Sequence, residues 1–135
     1  MPSNPDVGMA ASAPVASTQV LVLGLDPRSV PGYAPEPVVA RIEQGRRRFA
    51  ELGLTEHHEL LPYDADDAEQ ERRVVAALGR EPWACVVIGG GLRTDEPRLG
   101  FFERVVNLVR QHAPQAAIAF NAGAGDSADA ARRWI

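Results

Sequence analysis

The chain has 135 residues, 45% of them hydrophobic and 24% charged, with a formal net charge of -4 and a pI near 5.3, which is the length and make-up of one ordinary globular domain. An acidic chain of this kind has no overall positive field to hold a phosphate backbone, so nucleic acid is not expected as a partner. The single cysteine, Cys85, excludes a disulfide framework and a multi-cysteine metal site; all fourteen basic residues are arginine, which excludes lysine chemistry such as a Schiff base or the phosphate contact of a P-loop.

Residues 1–17 mix Pro, Ser, Ala, Asn and Asp without periodicity and read as a disordered tail ahead of one α/β domain spanning 18–135. Asp6 stands where a signal peptide would carry positive charge, and no run approaches the roughly 20 apolar residues that cross a bilayer. No membrane partner is expected. With Cys85 inside an apolar run, a reducing, cytoplasmic location is the expectation.

The first element is the continuously apolar run from Gln19 to Gly24, which predicts a strand covered on both faces. From Leu25 to Pro37 the chain is broken by Pro and Gly, about twice the usual length of a strand-to-helix connection of 2 to 6 residues, so it is either a binding loop or a mobile insertion. A helix is predicted from Glu36 to Leu52, with Val38, Ile42, Gly45, Phe49 and Leu52 on one face and Gly53 as its stop; Gly45 on that face predicts a close approach to the sheet. Arg46, Arg47 and Arg48 spread around a turn and, with Glu43 nearby, read as a solvated, ion-paired surface.

Glu59 to Tyr63 is predicted as the second strand, and Pro62, which cannot donate to a ladder, puts it at an edge. His57 and His58 just before it tempt a metal reading. On a strand, however, they point to opposite faces, and they would lie at its amino end, away from the functional edge of such a sheet, so no metal site is expected. Asp66, with Glu69 three residues on, opens a helix running to Leu78 and stopped by Gly79.

Ala84 to Ile88 is the third strand and the second continuously apolar run; it stops at Gly89, Gly90 and Gly91, which are expected to turn the backbone with positive φ and let a neighbour approach closely. Asp95 is then expected to cap a helix with Pro97 in its first turn and Phe102, Val105, Val106 and Val109 inward, ending before Pro114. His112 sits where that helix dipole favours a positive charge. A fourth strand, Ala116 to Phe120, and a short helix from Ser127 to Trp134 complete the chain.

Strands alternating with helices predict a three-layer α/β domain with helices on both faces of a parallel sheet. Placing the two fully apolar strands at the centre and the proline-bearing one at an edge gives strand order 2-1-3-4, the doubly wound core that resembles flavodoxin-like and Rossmann-like domains. Ligands of such sheets bind at the carboxyl ends of the strands, where the order reverses between the first and the third. That position predicts a site formed by Asp26, Arg28, Ser29, Gly89, Gly90, Gly91, Arg93, Thr94 and Asn121, with Asp64 also flanking the gap. Arg28 and Arg93 meeting there favour a carboxylate, phosphate or nucleotide, since guanidinium binds such groups through paired hydrogen bonds.

Gly89-Gly90-Gly91-Leu92-Arg93-Thr94 resembles a dinucleotide fingerprint, but Thr94 stands where the third glycine belongs, and the segment follows the third strand rather than the first. Asp26 near Asp64 and Asp66 resembles the acidic clusters of response-regulator receiver domains and haloacid-dehalogenase-type phosphatases. A receiver, however, would place an Asp where Gly89 stands, and such a phosphatase would read Asp-x-Asp where this chain has Asp26-Pro27-Arg28. No serine sits in a nucleophile elbow. Two expectations remain: binding of a small anionic ligand at the switch point, or a non-catalytic protein that assembles with a second copy or another partner through its open sheet edge, to which the alanine-rich fourth strand and Trp134 point.

Overall fold

The computed structural model describes residues 18–135. The tail expected over 1–17 lies outside the described residues. Within them the elements run β1 (Gln19–Leu25), a 3-10 turn at Pro27–Ser29, α1 (Glu36–Glu51), β2 (Thr55–Leu61), α2 (Asp67–Leu78), β3 (Cys85–Ile88), a single helical turn α3 (Gly90–Arg93), a 3-10 turn at Glu96–Arg98, α4 (Leu99–His112), β4 (Ala117–Phe120) and α5 (Ser127–Arg132). The four strands form one parallel sheet in the order β2-β1-β3-β4, the predicted 2-1-3-4. No helix among the described residues is long and apolar enough to cross a membrane.

Side chains alternate across the sheet and make a core on each face. On one face Leu21, Leu23, Val86 and Ile88 pack against Val74, Ala77 and Leu78 of α2 and Phe101, Val105, Leu108 and Val109 of α4. On the other, Val20, Val22, Cys85, Val87 and Ala119 pack against Phe49 of α1 and the alanines Ala128, Ala130 and Ala131 of α5. The central strands are apolar at successive positions because both their faces are covered. Trp83, fully buried ahead of β3, donates its indole N–H to Ala77 O at 3.0 Å, so its one polar group is satisfied.

Three expectations are corrected. The second strand begins at Thr55 rather than Glu59 and ends at Leu61, so Pro62 follows the ladder instead of interrupting it. It is still an edge strand. Its polar residues hid it because three of them find partners elsewhere in the fold: Glu59 meets Arg80 at 3.0 Å and Arg73 at 3.4 Å, Glu56 meets Arg46 at 3.5 Å, and the His57 ring packs edge-on to Trp83. His57 and His58 therefore lie inside the strand, not at its amino end.

The glycines after β3 do not turn with positive φ, a conformation found among the described glycines only at Gly32 and Gly53. They permit close packing instead. A Cβ on Gly89 would lie 3.1 Å from Leu23 O, and one on Gly91 would lie 3.0 Å from Leu25 Cβ. Asp95 and Pro97 belong to the 3-10 turn that precedes α4, and Asp95 makes no capping hydrogen bond. Asp66, in contrast, caps α2 as expected by accepting from Glu69 N at 2.8 Å, although the Glu69 carboxylate turns to Arg72 and Arg73.

Two Gly→Ala variants separate packing from backbone preference. Gly91→Ala is expected to destabilise by about 1–3 kcal/mol, because the new methyl presses on Leu25 where nothing can yield cheaply. Gly100→Ala, in α4 with no neighbour within 4 Å of the added carbon, is expected to stabilise by up to about 1 kcal/mol. Urea unfolding of both variants against the parent checks the two signs.

Candidate functional site

A cavity of about 410 Å³ opens where the strand order reverses, on the α1 face of the sheet at the carboxyl ends of β1 and β3. Its floor follows from the register. His58, Val22 and Val87 form one cross-strand row on this face, and Leu60 and Gly24 pair in the next row toward the carboxyl edge. At that row Gly24 has no side chain, and Gly89 beside it has none either; a Cβ on Gly24 would already be 3.3 Å from Leu60 Cδ2. Two adjacent central strands thus leave a hollow where side chains would otherwise fill the space under α1.

The walls are mainly apolar. Val38 and Ile42 of α1 form one side, and Pro27, Val30 and Tyr33 of the loop after β1 form another. That loop is held to the protein: Asp26 accepts from Arg28 N at 3.0 Å, the Ser29 hydroxyl donates to Asp26 O at 2.7 Å, and Ser29 Oγ accepts from Tyr63 N at 2.8 Å. The third side is the loop between β4 and α5, where Gly123 and Ala124 line the cavity. Asp126 shapes this loop by accepting from the backbone N–H groups of Ala122 and Gly123 at 2.9–3.1 Å. Gly45, expected to bring α1 close to the sheet, instead brings it close to this loop: a Cβ there would lie 3.3 Å from Gly125 O.

Besides the Tyr33 phenol, four polar side chains line the cavity: Arg41, His58, Asn121 and Ser127. Asn121 and Ser127 are buried and joined, with Asn121 Nδ2 donating to Ser127 Oγ at 3.0 Å, and the Ser127 hydroxyl proton has no acceptor among the described residues. Arg41 is exposed at the rim and has no ion-pair partner among the described residues. His58 Nε2 lies 3.3 Å from Glu56 Oε2, while Nδ1 is buried without a hydrogen-bond partner among the described residues. Burial, with the positive charge of Arg46 adding to it, pushes the His58 imidazole down to about 4. The ring is therefore neutral at pH 7, and its contact with the Glu56 carboxylate is not an ion pair. Burial also raises the Glu56 carboxyl above its ordinary range, against the pull of Arg46.

Of the residues expected at the switch point, Gly89, Gly90, Gly91 and Asn121 line the cavity. Asp26, Arg28, Ser29, Arg93 and Thr94 do not, and Asp64 is exposed and also outside it. Arg28 points to solvent. Arg93 turns away from the cavity: its guanidinium donates to Ile88 O at 3.3 Å and to Asn121 O, and sits 5.5 Å from the centre of the Phe120 ring. It ties the ends of β3 and β4 together. Thr94 closes on Gly90 O at 2.8 Å. Arg41 and His58 were not among the expected site residues. The signal for Arg41 was its place beside Ile42 on the apolar stripe of α1, half of which faces the hollow rather than a packed sheet. His58 was hidden by the misplaced start of β2.

A hydrogen bond joins Ser127 to Asn121 and none joins Ser127 to His58 among the described residues, so the cavity contains no nucleophile already bonded to a base. No group of three or more His, Cys, Asp or Glu side chains among the described residues is placed to hold a metal. Cys85 is fully buried, and burial raises its thiol to about 11, so it stays a thiol at neutral pH. Comparison of the chain with protein-family models, with curated proteins and with solved structures gave no match in any of the three.

The depressed pKa of His58 makes stability pH-dependent in a defined direction. The unfolded imidazole binds a proton near pH 6.5 and the folded one only near 4, so stability is full above about 6.5 and falls as pH drops toward 4, by at most about 3 kcal/mol. Glu56, raised in the folded state, acts in the opposite sense just above its ordinary range and reduces the net slope. Stability of the parent measured by urea unfolding between pH 7 and 4 should therefore decline more steeply than that of His58→Phe. Parallel curves would contradict the assignment.

Proposed function

We propose that the protein binds a small anionic ligand with an apolar body, of carboxylate type, in the cavity at the β1/β3 switch point. The observation that carries this reading is the pairing of a mainly apolar cavity of about 410 Å³ with Arg41 at its rim, an arginine without an ion-pair partner among the described residues. The volume lies within the roughly 300–1,000 Å³ of small-molecule sites, which are typically apolar with a few oriented polar groups. Two of the polar groups here favour a ligand that accepts hydrogen bonds. Arg41 and the Ser127 hydroxyl both donate, and Gly90 and Gly91 present backbone without side chains. A carboxylate suits a guanidinium, which offers it two parallel N–H donors. An extended phosphate chain suits the site less well, because aliphatic walls offer its oxygens no partners.

Binding rather than turnover is the reading adopted, since the buried hydroxyl is engaged with Asn121 and not with the imidazole. A cytoplasmic setting accords with the single, buried and unactivated thiol.

Thermal unfolding with octanoate, phenylacetate, inorganic phosphate and a mononucleotide tests the reading, with octanol as the uncharged control. A bound carboxylate at about a hundred times its Kd adds ~2.7 kcal/mol, which raises the melting temperature by several degrees. Arg41→Ala is expected to weaken carboxylate binding by about tenfold or more, and Arg28→Ala to leave it unchanged. No shift with any anion, or a shift that Arg41→Ala does not reduce, would overturn the proposal.

A further inference from the structure

The two edges of the sheet are built differently. The β2 edge carries Glu56, His57, His58 and Glu59, with Arg46, Arg73 and Arg80 paired to its carboxylates. Charged side chains of this kind discourage another strand from pairing. The β4 edge reads Ala117-Ile118-Ala119-Phe120, with no charge, no proline and no bulge. The bond from Ala117 N–H to Ala84 O turns Ala117 toward β3, so by alternation the N–H and C=O of Ile118 face outward. One device protects this edge, the Arg133 guanidinium donating to Phe120 O at 3.0 Å.

Beside that edge lies the free flank of α4. On its other flank α4 is pinned to α2, where Arg104 meets the Glu71 carboxylate through both oxygens at 2.7–2.9 Å. The free flank carries Leu99, Phe102 and Val106, spaced three and four residues apart, with Phe102 edge-on to Phe120 at 5.9 Å. Leu99 is 59% exposed and Phe120 42% exposed, two large apolar side chains left open to solvent on this flank. Glu103 and Arg110 stand on the same stripe as Leu99 and Val106, two helical turns apart, and neither has an ion-pair partner among the described residues.

We infer that this flank is where the chain pairs with a second copy of itself. The charges select that occupant. A two-fold axis perpendicular to the sheet, passing near Val106, sets α4 antiparallel to α4 of the other copy and β4 alongside its counterpart. Glu103 of each protomer then faces Arg110 of the other, so one contact supplies two complementary ion pairs around an apolar centre. The strand edge and the side chains of Leu99 and Phe120 are covered by the same operation. The surface lies on the opposite face of the sheet from the cavity, so pairing leaves the proposed ligand site open.

Sedimentation velocity of the full chain from micromolar to submillimolar concentration tests this with a charge exchange. The parent is expected to dimerise. Glu103→Arg and Arg110→Glu are each expected to weaken dimerisation by about tenfold or more, because each places like charges together twice across the two-fold. The double variant Glu103→Arg/Arg110→Glu is expected to recover dimerisation, a rescue that a merely unfolded variant would not show; circular dichroism of each variant confirms the fold. A parent that stays monomeric throughout, a dimer indifferent to both single reversals, or a double variant no better than the singles would overturn the inference. Neither result depends on whether the cavity binds a carboxylate.

Discussion

The parallel pairing of β1 with β3, Val20 to Leu23 against Cys85 to Ile88, is the constraint from which the remaining arrangement follows. The two strands are not consecutive in the chain, so the segment between them must cross over and return, placing β2 on the far side of β1 and β4 on the far side of β3. Neighbouring crossovers then leave in opposite directions, and a gap opens at the carboxyl ends of the central pair. Because both faces are covered, the pair tolerates only apolar side chains along its length. Where it ends, Gly24 and Gly89 leave the space that α1 roofs over.

Small residues set both the strength of the packing and the size of the hollow. Gly91 lets α3 sit against Leu25, and Gly45 lets α1 approach the loop carrying Gly123 and Ala124. At both places a methyl group would press on atoms that cannot easily move. Gly24 differs, since the nearest atom to an added Cβ is the end of the Leu60 side chain. A close-packed interior of this size would be expected to fill such a gap. That it stays open on an otherwise apolar surface, with a guanidinium at the mouth, is why the cavity is proposed as a ligand site.

How much could be read from the residues alone divides along physical lines. The two central strands declared themselves because burial on both faces leaves no room for polar residues, and their apolar runs fixed the strand order and the location of the gap. The edge strand begins four residues before its predicted start because Glu56, His57 and Glu59 are polar yet partnered by Arg46, Gln19, Arg73 and Arg80, partners that periodicity does not reveal. The glycine run was correctly placed at the gap but misread in conformation, since close approach and positive φ leave the same trace in a sequence. Arg93 drew attention by position, but a guanidinium with two backbone carbonyls and an aromatic ring within reach serves the strand ends. Arg41 stands beside Ile42 on the apolar stripe of α1, but whether a helical side chain there reaches the rim depends on how the helix lies across the sheet.

The arginines show how this lysine-free chain distributes charge, for most are used within the fold and few remain to meet something outside it. Arg41 remains at the cavity and Arg110 on the flank of α4. The most direct measurement of the central claim is a ¹⁵N–¹H correlation spectrum of the protein titrated with octanoate. The account predicts progressive amide shifts concentrated at Gly24, Leu25, Gly89, Gly90, Gly91 and Ser127, with α2 unmoved. Shifts centred on α2, or a spectrum that does not respond, would contradict it.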